Sequence, residues 1–192
     1  MESTTWIILI VSALIFLFIF WAISTYNRLV KARNYRREAW SGITVFLKKR
    51  YDLVPNLLEI VRGYAAFEKG VVEQVSVNRS MAMKASAPGE KLPAEQRFSQ
   101  ALGSFFAVAE SYPDLKASEN FRQLQDDLAR LETEIESARR YYNASVRENN
   151  ILVESFPASV IAGMGKFEKG DYFELENNDH LQVPQVSFNA TR

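Results

Sequence analysis

The sequence predicts an all-α protein: an N-terminal transmembrane helix that continues into an extended antiparallel bundle of long helices. Three observations predict it. Residues 6–23 carry no charge, residues 26–52 contain no glycine or proline other than Gly42, and an apolar repeat of threes and fours runs from Phe121 to Phe156. The first is a bilayer signal; the other two are helix signals.

The charge-free run of about 18 residues, at about 1.5 Å of rise each, nearly covers a hydrocarbon core of about 30 Å. Trp6, Trp21 and Tyr26 lie near its ends, where amphipathic rings favour the interface. A cleaved signal peptide would need a basic start and a small-residue cleavage site; this chain begins with Glu2 and runs on into charged helix, so a retained anchor over 1–27 is expected. Arg28, Lys31, Arg33, Arg36 and Arg37 follow the run and no basic residue precedes it. By the positive-inside rule the N-terminus is expected outside and the body in the cytoplasm.

Residues 28–165 then form one bundle and 166–192 a tail, partly docked. Leu29, Trp40, Ile43, Leu47, Val54, Leu57, Val61 and Tyr64 recur at helical spacing with no turn signal separating them from the anchor. The expected stalk helix is interrupted by Pro55, with a kink or break over 53–56. Two prolines and a glycine in 85–93 predict the first loop, ending the preceding helix at Met83. A helix over 94–111 carries Phe98, Leu102, Phe105 and Ala109, and Pro113 stops it. Residues 112–118 connect onward, with Ser118 either an N-cap or a plain loop serine.

The next helix has the strongest pattern: Phe121, Leu124, Leu128, Leu131, Ile135, Ala138, Tyr142, Ser145, Asn149, Leu152, Phe156. Five heptads predict more than 35 residues of helix ending before Pro157. Ser145 and Asn149 are polar on that seam and are expected to set helix register, or else to mark its exposed end. A short apolar piece follows at 158–164. In the tail, Tyr172, Phe173 and Leu175 are candidates to dock, and residues beyond Asn177 read as loosely held.

Composition narrows function. Twenty-three basic residues balance twenty-three acidic ones, which disfavours nucleic acid as a partner, and the lack of cysteine excludes disulfides, thiolate metal sites and cysteine nucleophiles. His180 is the only histidine. A di-iron bundle or a serine triad therefore lacks its parts, and no cofactor, metal or catalytic residue is expected. Glu132 with Glu136, and Asp126 with Asp127, read as a solvated, salt-bridged face. Two glycosylation patterns, at Asn143 and Asn189, would be irrelevant in a cytosolic body.

Two groups remain as candidate contacts. Arg28, Lys31, Arg33, Arg36 and Arg37 are candidates for anionic lipid or a protein partner, beside the plainer role of topology determinants. Trp40, Phe46, Tyr51 and Tyr64 form a candidate assembly face, since a thin bundle has more aromatic surface than it needs.

Several strings go beyond periodicity. Tyr26-Asn27-Arg28-Leu29-Val30, Glu38-Ala39-Trp40, Arg50-Tyr51-Asp52-Leu53-Val54-Pro55-Asn56-Leu57, Gly63-Tyr64-Ala65, Tyr112-Pro113-Asp114-Leu115-Lys116 and Ala138-Arg139-Arg140-Tyr141-Tyr142-Asn143 together resemble the LemA family of bacterial membrane proteins. Thr44 and Phe46 depart from the family pattern, which usually has aspartate and glutamine there. The resemblance implies a single-pass inner-membrane protein with an outside N-terminus and a cytoplasmic helical bundle, without an established catalytic activity. Some relatives are associated with forming or maintaining internal membranes. Two functions are expected to compete: a self-assembling, higher-order homo-oligomeric scaffold on the membrane, and an accessory binding subunit of a membrane protease or envelope-stress complex.

Overall fold

The computed structural model describes residues 2–63 and 67–173. Among them run α1 (Glu2–Arg62), α2 (Lys69–Lys84), α3 (Pro88–Ala109), α4 (Pro113–Ala117), α5 (Glu119–Glu154) and α6 (Ala158–Met164), with no strand. The all-α class and the long N-terminal apolar helix match the expectation.

At about 1.5 Å per residue α1 is about 90 Å long. Its first part is bare: Phe16 is 71% exposed, and every large apolar side chain from Trp6 to Phe20 is similarly open. Cover begins at Thr25 and Leu29, and from there Ala39, Ile43, Leu47, Val54, Leu57 and Val61 form one buried stripe. That three-four spacing is what an amphipathic helix needs to bury a single face.

The expected interruption at 53–56 is not a break, since α1 runs through Pro55 to Arg62. Proline removes the N–H that would serve the carbonyl four residues back, that of Tyr51. Arg79 of α2 supplies the replacement, its Nε donating to the Tyr51 oxygen at 2.7 Å. Arg79→Met should therefore cost about 1.5–3 kcal/mol, the range for a hydrogen bond from a charged donor. In a Pro55→Ala background, where the backbone serves that carbonyl itself, the same substitution should cost less; denaturant unfolding of the four variants measures the coupling.

α1 ends at Arg62 and α2 begins at Lys69, an interruption the periodicity did not reveal. Tyr64 falls outside the described residues. α2 ends at Lys84, one residue past expectation, and the predicted loop 85–93 contracts to 85–87 because Pro88 takes the first helical position of α3. A missing N–H costs nothing there. Lys91 then reaches back, its Nζ donating to the carbonyls of Ala82 (2.9 Å) and Ala85 (3.1 Å) and closing the end of α2.

α3 stops at Ala109, two residues before expectation, and the connection beyond holds the one-turn helix α4. Ser118 occupies the N-cap position of α5 with extended backbone, but its hydroxyl makes no capping bond. α5 runs 36 residues, as the heptads required, burying Phe121, Leu128, Ile135, Tyr142, Ser145, Val146 and Asn149. Phe156, the last seam position, is instead 85% exposed, because α5 ends at Glu154 ahead of Pro157.

Ring and ion contacts fix the topology. Along α1, Leu29 shares a cluster with Leu152, Trp40 meets Tyr142 (centroids 5.4 Å) and Arg50 meets Glu132, so α5 is antiparallel to α1. α2 returns along α1 and α3 climbs again, with Phe98 on Tyr51 (5.8 Å) and Phe105 on Phe67 (5.3 Å). The outer half is thus an up-down-up-down four-helix bundle of α1, α2, α3 and α5 around Phe98, Phe105 and Phe121. The inner half, nearest the apolar segment, holds α1 and α5 with α6 and residues 165–173.

Candidate functional site

A buried polar hub sits where α1, α3 and α5 meet. Arg50, 3% exposed, lies on the apolar stripe of α1, where a guanidinium needs partners on every side. Its Nη2 donates to Glu95 of α3, and its Nη1 to Glu132 of α5 at 2.6 Å and to Ser99 Oγ at 3.2 Å. Its plane lies over the Phe98 ring, 5.1 Å from the centroid. The Tyr51 hydroxyl also donates to Glu95. Beside them a cavity of about 420 Å³ is lined by Arg50, Glu95, Ser99, Glu132, Arg139 and Phe173.

Burial dominates the proton affinities. It pushes the Glu95 carboxyl above the usual glutamate range despite the opposing pull of Arg50, and it lowers Lys91 and Arg139 from their ordinary values, with Arg50 adding to both. Because the folded form holds the Glu95 proton more tightly than the unfolded chain, this term favours folding at low pH. It is lost as pH rises from the ordinary glutamate value through the raised one. The slope approaches about 1.4 kcal/mol per pH unit at most. Unfolding free energies of the protein minus those of Glu95→Gln, followed across that window, should fall as pH rises.

Glu132 thus departs from its expected place on a wholly solvated face: half-exposed, it is one of the two carboxylates that neutralise Arg50. Glu136 pairs with Arg140 at 3.2 Å and Asp127 with Arg130, both on the surface as anticipated. No cluster of potential metal ligands occurs among the described residues, and His180 lies outside them.

A second polar centre holds the chain after α6. Residues 168–173 run back along α1 and α5 without helical or strand hydrogen bonds of their own, so side chains serve their backbone. Asn150 accepts from Gly170 N (2.8 Å) and donates to Gly170 O (3.0 Å); Asn143 does the same for Phe173 (2.8 and 3.2 Å). Asn149 donates to Glu168 O (3.2 Å) and the Tyr142 hydroxyl to Asp171 O (2.9 Å). Asn149 therefore clasps the returning chain rather than setting register between long helices, and Ser145 bonds back to the Tyr142 carbonyl. Phe173 docks as anticipated, wholly buried, while Tyr172 is exposed and Leu175 falls outside the described residues.

Two of the five basic candidates belong to this clasp. Arg33 stacks on Phe167 (4.9 Å), and Arg36 donates to Glu168 O (3.3 Å). A Cβ at Gly170 would sit 2.5 Å from Arg36 Nη1, so a side chain there would displace the guanidinium. Lys31 lies over Tyr35, and Arg28 and Arg37 are exposed. The described members of the candidate assembly face, Trp40, Phe46 and Tyr51, separate. Tyr51 is buried under α3 and Trp40 packs on Tyr142 and Phe173, so the aromatic surplus is taken up inside the chain. Phe46 borders a surface groove, with Lys49, Leu53, Arg130, Leu131 and Glu134.

The hub escaped the sequence reading because its partners are 45 and 82 positions apart. A signal was present: Arg50 falls on the stripe Ile43, Leu47, Val54, Leu57, and Glu95 lies three residues before Phe98 on the buried face of α3.

Fold and site together define an elongated helical bundle whose first helix extends bare and apolar beyond it, with a polar interior spent on holding helices and tail. A family model described as LemA family matches residues 39–188. The chain belongs to the LemA family. It is similar to magnetosome protein MamQ 2 of Paramagnetospirillum magneticum, 23% identical over 175 residues that cover 78% of this chain and 64% of that protein. To MamQ of Magnetospirillum gryphiswaldense it is 23% identical, covering 84% and 70%. To protein LemA of Metamycoplasma hominis it is 26% identical, covering 76% and 67%. The chain thus spans a little under two thirds of the length of the first of these relatives.

Proposed function

We propose that this protein is a non-catalytic scaffold anchored by α1 in the bacterial inner membrane, with its N-terminus outside and its body in the cytoplasm, and that it assembles into higher-order homo-oligomers. One observation carries the reading: the bare apolar part of α1 and the buried stripe of the bundle are the same unbroken helix. The span therefore orients the body as well as tethering it. The groove at Phe46, with apolar walls and charges of both signs at its edge, is the surface through which copies meet.

Mass measurement of the detergent-solubilised protein tests this. An oligomer that Phe46→Glu dissociates is expected; a strict monomer at micromolar concentration overturns assembly. The accessory-subunit reading is favoured by the exposed side chains of Arg28, Lys31 and Arg37. In-cell crosslinking from those positions separates the two: self-crosslinks support the scaffold, and one recurrent foreign chain supports the subunit.

A further inference from the structure

The turn from α5 into α6 is largely apolar. Residues 156–165 contain no charge, bounded by Glu154 and Lys166. One face of α6 closes on α1, where Ala162 is buried with Leu29 and Ile161 packs against the same cluster. The other face is open: Phe156 is 85% exposed, Met164 80% and Val160 55%. A helix that is hydrophobic all round belongs in a protein core or in lipid.

Its height along α1 decides between these. Cover of α1 begins at Thr25, two residues past the last apolar residue of the bare segment, Ile23. Phe167 packs its ring edge against Tyr26 at 5.4 Å, and Leu29 lies about 9 Å beyond Ile23 at 1.5 Å per residue. The interfacial layer of a bilayer is about 5–7 Å deep on each side of the hydrocarbon. Leu152 shares the level of Leu29, and α5, antiparallel to α1, ends two residues on at Glu154, about 6 Å beyond Ile23, so the α5–α6 turn reaches that layer. Its nearest charges suit anionic headgroups: Arg28 and Lys31 on α1 and Lys166 are exposed, while Glu154 is neutralised by Lys169.

We propose that Phe156, Val160 and Met164 form a second membrane contact, lying in the lipid interface beside the base of α1. This rests on the reading of α1 as the anchor. Lipid is the occupant because the patch continues the apolar surface of α1, and an interfacial helix reaches about 5–10 Å into the headgroup and acyl boundary. The two contacts, on opposite sides of the chain order, would hold the bundle at a fixed rotation about α1.

The absence of cysteine makes the test direct. Phe16→Cys, Phe156→Cys, Met164→Cys and, in the far bundle, Asp126→Cys are each spin-labelled in the full chain and reconstituted in phosphatidylethanolamine and phosphatidylglycerol vesicles. Relaxation is then compared with oxygen, which concentrates in lipid, and with a water-soluble nickel chelate. The ratio of oxygen to nickel response at 156 and 164 should be several-fold above that at 126 and below that at 16. A lipid-like response at 16 with a water-like response at 156 and 164 overturns the second contact and leaves the anchor standing. Labels at 156 and 164 shielded from both reagents also overturn it, since protein would then cover the patch. A water-like response at 16 overturns the anchor itself and the second contact with it.

Discussion

Arg50→Ala should destabilise the bundle by about 3–5 kcal/mol, the cost of removing one partner from a buried ion pair. A domain of this kind has only about 5–15 kcal/mol of net stability, so the variant should be partly unfolded at 37 °C or melt far below the parent. The size of the effect lies in what is left behind. Glu95, 6% exposed, would stay buried with only the Tyr51 hydroxyl. Arg50→Lys should recover only part of the loss, because an ammonium cannot hold the fork that spans α3 and α5. Replacing Arg50 and Glu95 together by Met and Leu should come close to parental stability. Circular dichroism melts in detergent measure all three, and a double variant as weak as Arg50→Ala would mean that the hub contributes more than compensated charge.

Phe173→Ala should release the returning chain. The ring is buried between Trp40 (5.7 Å) and the Arg139 guanidinium (5.1 Å), and emptying such a site costs about 3–5 kcal/mol. Residues 166–173 can open without the long helices, so most of the loss should appear as local opening. Amide exchange at Gly170 and Phe173, where Asn150 and Asn143 accept, should quicken about 100-fold or more. Protection in α3 should hardly change. Global loss of protection instead would make the clasp part of the core.

These two residues also mark what periodicity could and could not reveal. Heptad spacing alone predicts α5 to within a few residues, because every third or fourth side chain faces the same neighbours. It fails at Pro88, where a helix-breaking residue starts a helix, and at the end of α1, where Gly63 is one residue within an otherwise helical pattern. It fails again at Asn143, Asn149 and Asn150. An asparagine on a helix face looks the same whether it meets water, another helix or a passing backbone, and only the path of residues 168–173 decides. The basic cluster after the apolar run was legible as charge; its division into clasp residues and free ones was not.

The continuity of α1 has a geometric consequence. From Ile23 to Arg62 it projects about 58 Å beyond the apolar run. A rigid rod pivoting in a bilayer acts as a lever, and a typical tilt of about 20° would swing its far end sideways by about 20 Å. Tilt itself responds to the mismatch between apolar length and hydrocarbon thickness. With α1 as the proposed membrane anchor, a change of a few ångströms in bilayer thickness would be converted into a much larger excursion of the four-helix end, so the thickness of the surrounding lipid would set how far that end can reach.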